Sequence, residues 1–132
     1  MRVVAKRLGG FPAKLERARE NAKVLTEALA SAPVSPPVER SWALHSRFLF
    51  AIRFHDQSAR DSASSHLAGS GVDSIRFYEE APALAGAYGY KRDCPVSESA
   101  ASTVLTVPGH GRLTGKEVER VASALKGLGE SL

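Results

Sequence analysis

The chain has 132 residues, of which 43% are hydrophobic and 24% charged, with a formal net charge of +4. This is the composition of one soluble globular domain with a modest core. Apolar runs such as Phe48 to Ile52 are too short for a bilayer span of ~20 residues, and no leader-like segment follows Met1 to Arg7, so a cytoplasmic protein is expected.

Phe11-Pro12 opens a helix, because proline is tolerated in a first turn. Leu15, Ala18, Ala22, Leu25 and Leu29 then share one face, and Glu16, Arg19, Glu20, Lys23 and Glu27 take the other. The spacing predicts an amphipathic helix over residues 11–31. Pro33, Pro36 and Pro37 make residues 32–44 a linker, neither helix nor central strand. Phe48, Phe50, Ile52 and Phe54 alternate with Arg47, Leu49, Ala51 and Arg53, which predicts a strand whose aromatic side faces the core. Asp56-Gln57-Ser58 offers helix caps, and Ser58 with Asp61 resembles a capping box, for a helix that turns Ala59, Ala63 and Leu67 inward and stops at Gly69 and Gly71.

Val72 to Tyr78 reads as a second strand, and residues 81–92 as a short helix or irregular loop. Pro95 starts a helix reaching Thr103, and Val104 to Val107 is a short strand ended by Pro108. After the Gly109-His110-Gly111 turn, Thr114 and Glu117 form a capping box for a final helix with Val118, Val121, Leu125 and Leu128 on its apolar stripe. The order predicts an α/β fold, a small sheet of about three strands covered by helices. Within a single domain, residues 1–10 form an N-terminal extension, 11–31 the long helix, 32–44 the linker and 45–132 the α/β core.

Several ordered segments resemble a known family. Arg17 to Leu25 is similar to the pattern R-x-x-x-N-A-x-x-L, and His45 to Phe50 to H-x-x-x-L-Y. Gly71 to Tyr78 is similar to G-I-x-T-x-x-H-Y, Pro95 to Glu98 to P-x-A-E, and Val104 to His110 to V-L-S-L-P-x-H. In this order, over residues 11–128, they resemble the C-terminal small domain of sugar aminotransferases of the DegT/DnrJ/StrS type. The resemblance implies a fold like the small domain of the aspartate-aminotransferase class. It also implies an ancestry in pyridoxal-phosphate enzymes that work as dimers on nucleotide-bound keto sugars. In that family the cofactor lysine lies in a large N-terminal domain, and no lysine of this chain sits in a segment matching its motif. The resemblance therefore implies no cofactor on the chain alone, and pyridoxal phosphate only with a large-domain partner.

The family's H-Y-x-x-P-L-H stretch keeps only Tyr78, with Phe77, Ala81 and Ala83 replacing the first histidine, the proline and the last histidine. Glu79 and Glu80 stand beside them. Tyr78, Glu79, Glu80 and His110 are candidate acid–base catalysts, and Arg76, Tyr88 and His45 candidate substrate-binding residues. Exposed strand-end acids and a solvated turn histidine would account for the same residues. No metal site is expected, because His45, His55, His66 and His110 lack ligand spacing, and the lone Cys94 allows neither a disulfide nor a Cys-rich zinc site. Dispersed Lys and Arg, with no dense basic run, argue against nucleic acid.

These residues suggest a cofactor-independent enzyme or ligand-binding protein of sugar or natural-product biosynthesis, with a small-molecule ligand. The alternatives are the small-domain subunit of a split aminotransferase and a non-catalytic interaction module. A face once covered by a large domain would be apolar, so a homo-oligomer or protein partner is expected, with the first helix as the contact.

Overall fold

The computed structural model describes residues 8–131, so most of the expected N-terminal extension, residues 1–7, lies outside the described residues. Helix α1 (Phe11–Ala28) carries Pro12 in its first turn and ends three residues before Ser31, where tight turns from Thr26 and Glu27 to Leu29 and Ala30 take over. Its buried stripe, Ala18, Ala22, Leu25 and Ala28, packs on α5 (Gly115–Lys126). Thr114 caps α5 with its hydroxyl on the Glu117 amide, and the Glu117 carboxylate returns to the Thr114 amide at 2.7 Å. Two orphan amides of that helix end are thus satisfied.

Strands β1 (Leu49–Arg53) and β2 (Val104–Pro108) pair antiparallel, with Phe50 opposite Val107 and Ile52 opposite Leu105. These four side chains, with Leu25, Leu67, Leu125 and Leu128, form the centre of one core cluster. The first helix belongs to that cluster rather than to an appendage of it. Phe48 departs from the expected alternation and is 68% exposed, because Arg47, at φ +53°, turns the chain just before β1 begins.

Of the expected three strands, two are ladders. Val72 to Tyr78 makes only one bridge, in which Ile75 and Thr106 exchange both backbone hydrogen bonds at 2.9 Å. The polar side chains of this segment turn instead to α2 (Gln57–Gly69): Ser74 meets Ser64 at 3.2 Å and Arg76 meets Asp61 at 3.6 Å. Left-handed residues bracket it, Gly71 at φ +69° and Tyr78 at φ +67°. On the other edge Ser35 bridges Arg53, and pairing stops there because Pro36 and Pro37 have no N–H to donate. Of the caps expected for α2, the structure uses the first and does not form the Ser58–Asp61 box. Asp56, not Ser58, accepts the Ala59 amide, at 2.8 Å, its backbone being extended as a cap requires.

Three short helices complete the chain: α3 (Ala81–Gly86), α4 (Pro95–Thr103) and α6 (Leu128–Ser131). Among the described residues no helix is long and apolar enough to cross a membrane. The contact expected on the first helix is not supported by its surface, since its apolar stripe is spent inside the domain and only Phe11 and Val24 stand out from it as exposed large apolar side chains.

Candidate functional site

Side-chain alternation gives the sheet a second face. Leu49 and Ala51 from β1, and Val104 and Thr106 from β2, point away from the core and floor an open trough of about 840 Å³. The chain before β1 contributes His45 and Phe48 to its rim, and the turn after Ile75 contributes Phe77 and Tyr78. Helices α3 and α4 close the far side with small residues such as Ala85 and Ala101.

The turn bearing Phe77 and Tyr78 is held from behind by a charge network. Arg60 is fully buried, and its guanidinium reaches Asp61 Oδ1 at 2.8 Å, Glu79 Oε1 at 2.7 Å and the Ala101 carbonyl at 3.3 Å. Arg76 adds a longer pairing to Glu79, at 3.7 Å. A buried guanidinium is tolerable only because carboxylates and a carbonyl replace its water. Thr106 Oγ1 donates to the Ile75 carbonyl at 3.1 Å, so the same turn is also pinned to the sheet.

Two further polar groups shape the trough. Tyr90 Oη donates to Glu98 Oε1 at 2.9 Å and accepts the Cys94 amide at 3.0 Å. Partial burial and the donor bond to Glu98 push the phenol up to about 12. At the rim, Glu39 accepts from Arg19 and Arg47, both at 2.9 Å, and from the His45 amide at 3.0 Å. These bonds, the His45 amide foremost, hold its carboxyl down at about 2. The rim segment is thereby tied to α1.

The residues expected to carry chemistry fall in different places. Tyr78 and His45 line the trough. Glu79 and Arg76 lie behind the turn in the Arg60 network, and Glu80 sits at the exposed N-terminus of α3. Tyr88 is 93% exposed on the loop after α3 and outside the trough lining. His110 is on the α1 side of the molecule, where its carbonyl accepts from Asn21 Nδ2 at 3.1 Å. Arg60 escaped the sequence reading. The available signal was an arginine at core spacing, three before Ala63 and seven before Leu67 on the inward stripe.

The described residues lining the trough include no lysine to form a Schiff base and no lysine or arginine to hold a phosphate. The trough therefore does not fit pyridoxal phosphate as a site of its own.

The model of the DegT/DnrJ/EryC1/StrS aminotransferase family matches residues 2–126. No curated protein matches the chain. Among solved structures, DesV of S. venezuelae, determined in complex with a ketimine intermediate, is 27% identical, with a TM-score of 0.84 over 98% of this chain and 36% of that one. The aminotransferase TlmJ of Streptoalloteichus hindustanus is also 27% identical, with a TM-score of 0.82 over 92% of this chain and 33% of its own. Spr1654 of Streptococcus pneumoniae, described as a sugar aminotransferase, shares the fold at 20% identity and a TM-score of 0.82, with 96% and 33% covered. The chain thus spans about a third of the length of the solved relatives it matches.

Proposed function

The chain belongs to the DegT/DnrJ/EryC1/StrS aminotransferase family, and from that premise we propose that it serves as the small-domain portion of a sugar aminotransferase. In this reading the trough docks against the two thirds of such an enzyme that lie outside the sequence described, whether on the same polypeptide or another. That portion supplies the lysine and the pyridoxal phosphate.

The observation that carries the reading is the open outer face of the sheet. Leu49, Phe77, Phe48 and Tyr78 are 37%, 37%, 68% and 75% exposed around one apolar concavity, whereas the inner face is filled. Contiguous exposed apolar surface of this kind marks a surface that is covered in the working protein. Phe77, which stands in place of a family histidine, adds to that wall and brings no reactive group. The cofactor-free acid–base reading needs two of its candidate groups together. Tyr78 is the one candidate catalyst on the trough, while Glu79 is engaged by Arg60 and His110 lies elsewhere.

The test has two arms. The chain, incubated with pyridoxal phosphate, an amino donor and a nucleotide-linked keto sugar, is expected to give no transamination. Titration of the isotope-labelled chain with the large-domain portion of a family member is expected to move the signals of Ala51, Phe77 and Ala101. Turnover by the chain alone, or a footprint confined to the α1 surface, would sink the proposal.

A further inference from the structure

The trough is apolar but not featureless. Glu98, on α4, is the one carboxylate among its described lining residues, and no lysine or arginine lines it. The hydrogen-bond directions fix which way that side chain is used. Because Tyr90 Oη accepts the Cys94 amide, its own proton is the one directed to Glu98 Oε1, so Glu98 acts there as an acceptor. This use of Oε1 leaves Oε2 without a donor or ion-pair partner among the described residues. On the rim, His45 Nδ1 is engaged by the Arg47 amide at 2.9 Å. Phe48, Phe77 and Tyr78 meanwhile offer aromatic surface on the rim.

One oriented carboxylate, aromatic walls and no opposing lysine or arginine together make a surface complementary to an apolar group carrying a single positive charge. We infer that the segment docking in the trough presents a lysine or arginine to Glu98, with its aliphatic stem along the apolar floor. Tyr90 is the positioning residue, holding the carboxylate toward the trough through Oε1 while Oε2 receives the cation. The inference rests on the docking reading given above and names the chemistry of the occupant. In water such a pair adds little, but a covered trough removes the solvent that would screen it.

The experiment uses the full chain and two naphthalene probes of the same shape, 2-naphthylmethylammonium and 2-naphthoate. Methyl NMR follows Ala51, Ala85 and Ala101, which line the trough. The cation is expected to bind roughly three- to tenfold more tightly than the anion. Glu98→Gln should abolish that preference while leaving the naphthoate affinity within about twofold, and Tyr90→Phe should reduce it without abolishing it. Thermal unfolding of each variant verifies that it is folded, and Tyr90→Phe serves as the second probe if Glu98→Gln is not. Equal binding of cation and anion to the wild-type chain, or a preference that survives Glu98→Gln, would overturn the inference. Docking as such would still stand in those cases, because naphthoate would move the same methyls. If neither probe moves them, the apolar docking surface itself is refuted.

Discussion

The two faces of the same two strands have been put to opposite uses. On the inner face Phe50, Ile52 and Leu105 are fully buried and Val107 nearly so. On the outer face Leu49, Ala51 and Val104 are also apolar, yet Leu49 remains 37% exposed beside an open trough. Hydrophobicity alone therefore does not say which face stabilises the domain; the presence of a covering element does. Side chains of α1, α2 and α5 cover the inner face, whereas rim residues such as Phe48 and Tyr78, with α3 and α4, flank the outer one and leave it open. The sharpest way to break this comparison is truncation on each side. Phe50→Ala should cost about 3 to 5 kcal/mol in urea unfolding, through lost transfer energy and a residual cavity. Phe48→Ser on the outer rim should stay within about 0.5 kcal/mol. Similar losses on both sides would mean that the outer face is part of the folding core.

Between the two faces lies Arg60, and its removal is not equivalent to removal of its partners. Asp61→Asn with Glu79→Gln leaves a buried guanidinium with neutral partners, which should cost about 2 to 3 kcal/mol. Arg60→Met should cost about 1 kcal/mol, since Asp61 and Glu79 are already 40% and 38% exposed and return to water. Amide exchange would sharpen the point. In the double variant the Ile75 amide, bonded to Thr106, should exchange faster than the stability loss explains, while core amides such as Leu125 quicken only in step with that loss. If Arg60→Met proves the more damaging change, the network is a packing feature and not an electrostatic one.

What could be read from the sequence was what neighbours in the chain decide. The Thr114–Glu117 box, the stripes of α1 and α5, and the inward Phe50 and Ile52 follow from caps and periodicity, and the structure has them. Alternation continued through Phe48 and through Val72 to Tyr78 as well, but there distant partners decide the path. Arg47 turns at φ +53° with its guanidinium on Glu39, and the segment after Gly71 is drawn toward Asp61 and Arg60. The candidate site divides in the same way. Tyr78 and His45 reach the trough, whereas His110 is held 89 residues away in sequence by Asn21, a contact that no local pattern announces. The trough's floor was legible as the other half of the β1 alternation; its openness was not, because a covered face and a bare one have the same sequence.

The smallest effect expected concerns the rim, and it would show whether the two faces can be uncoupled by pH. Glu39 holds the segment before β1 to α1 through Arg19, Arg47 and the His45 amide, and its carboxyl is lowered from 4.5 to about 2. A carboxylate depressed on folding contributes stability that is whole above its unfolded value of 4.5, declines below it, and is gone once the pH falls through about 2. Glu117 is also lowered, by its bonds to Thr114, so the wild-type acid profile contains both groups. Glu39→Gln isolates one of them. Its stability loss relative to wild type should be constant above pH 4.5 and shrink toward pH 2. Trp42, the only tryptophan and 82% exposed on the rim segment, should gain mobility over the same interval in wild type, while core amides stay protected. A loss that does not vary with pH would show that Glu39 holds the rim by hydrogen bonding alone, which an amide can replace only in part, and the charge would have no share in keeping the trough's edge in place.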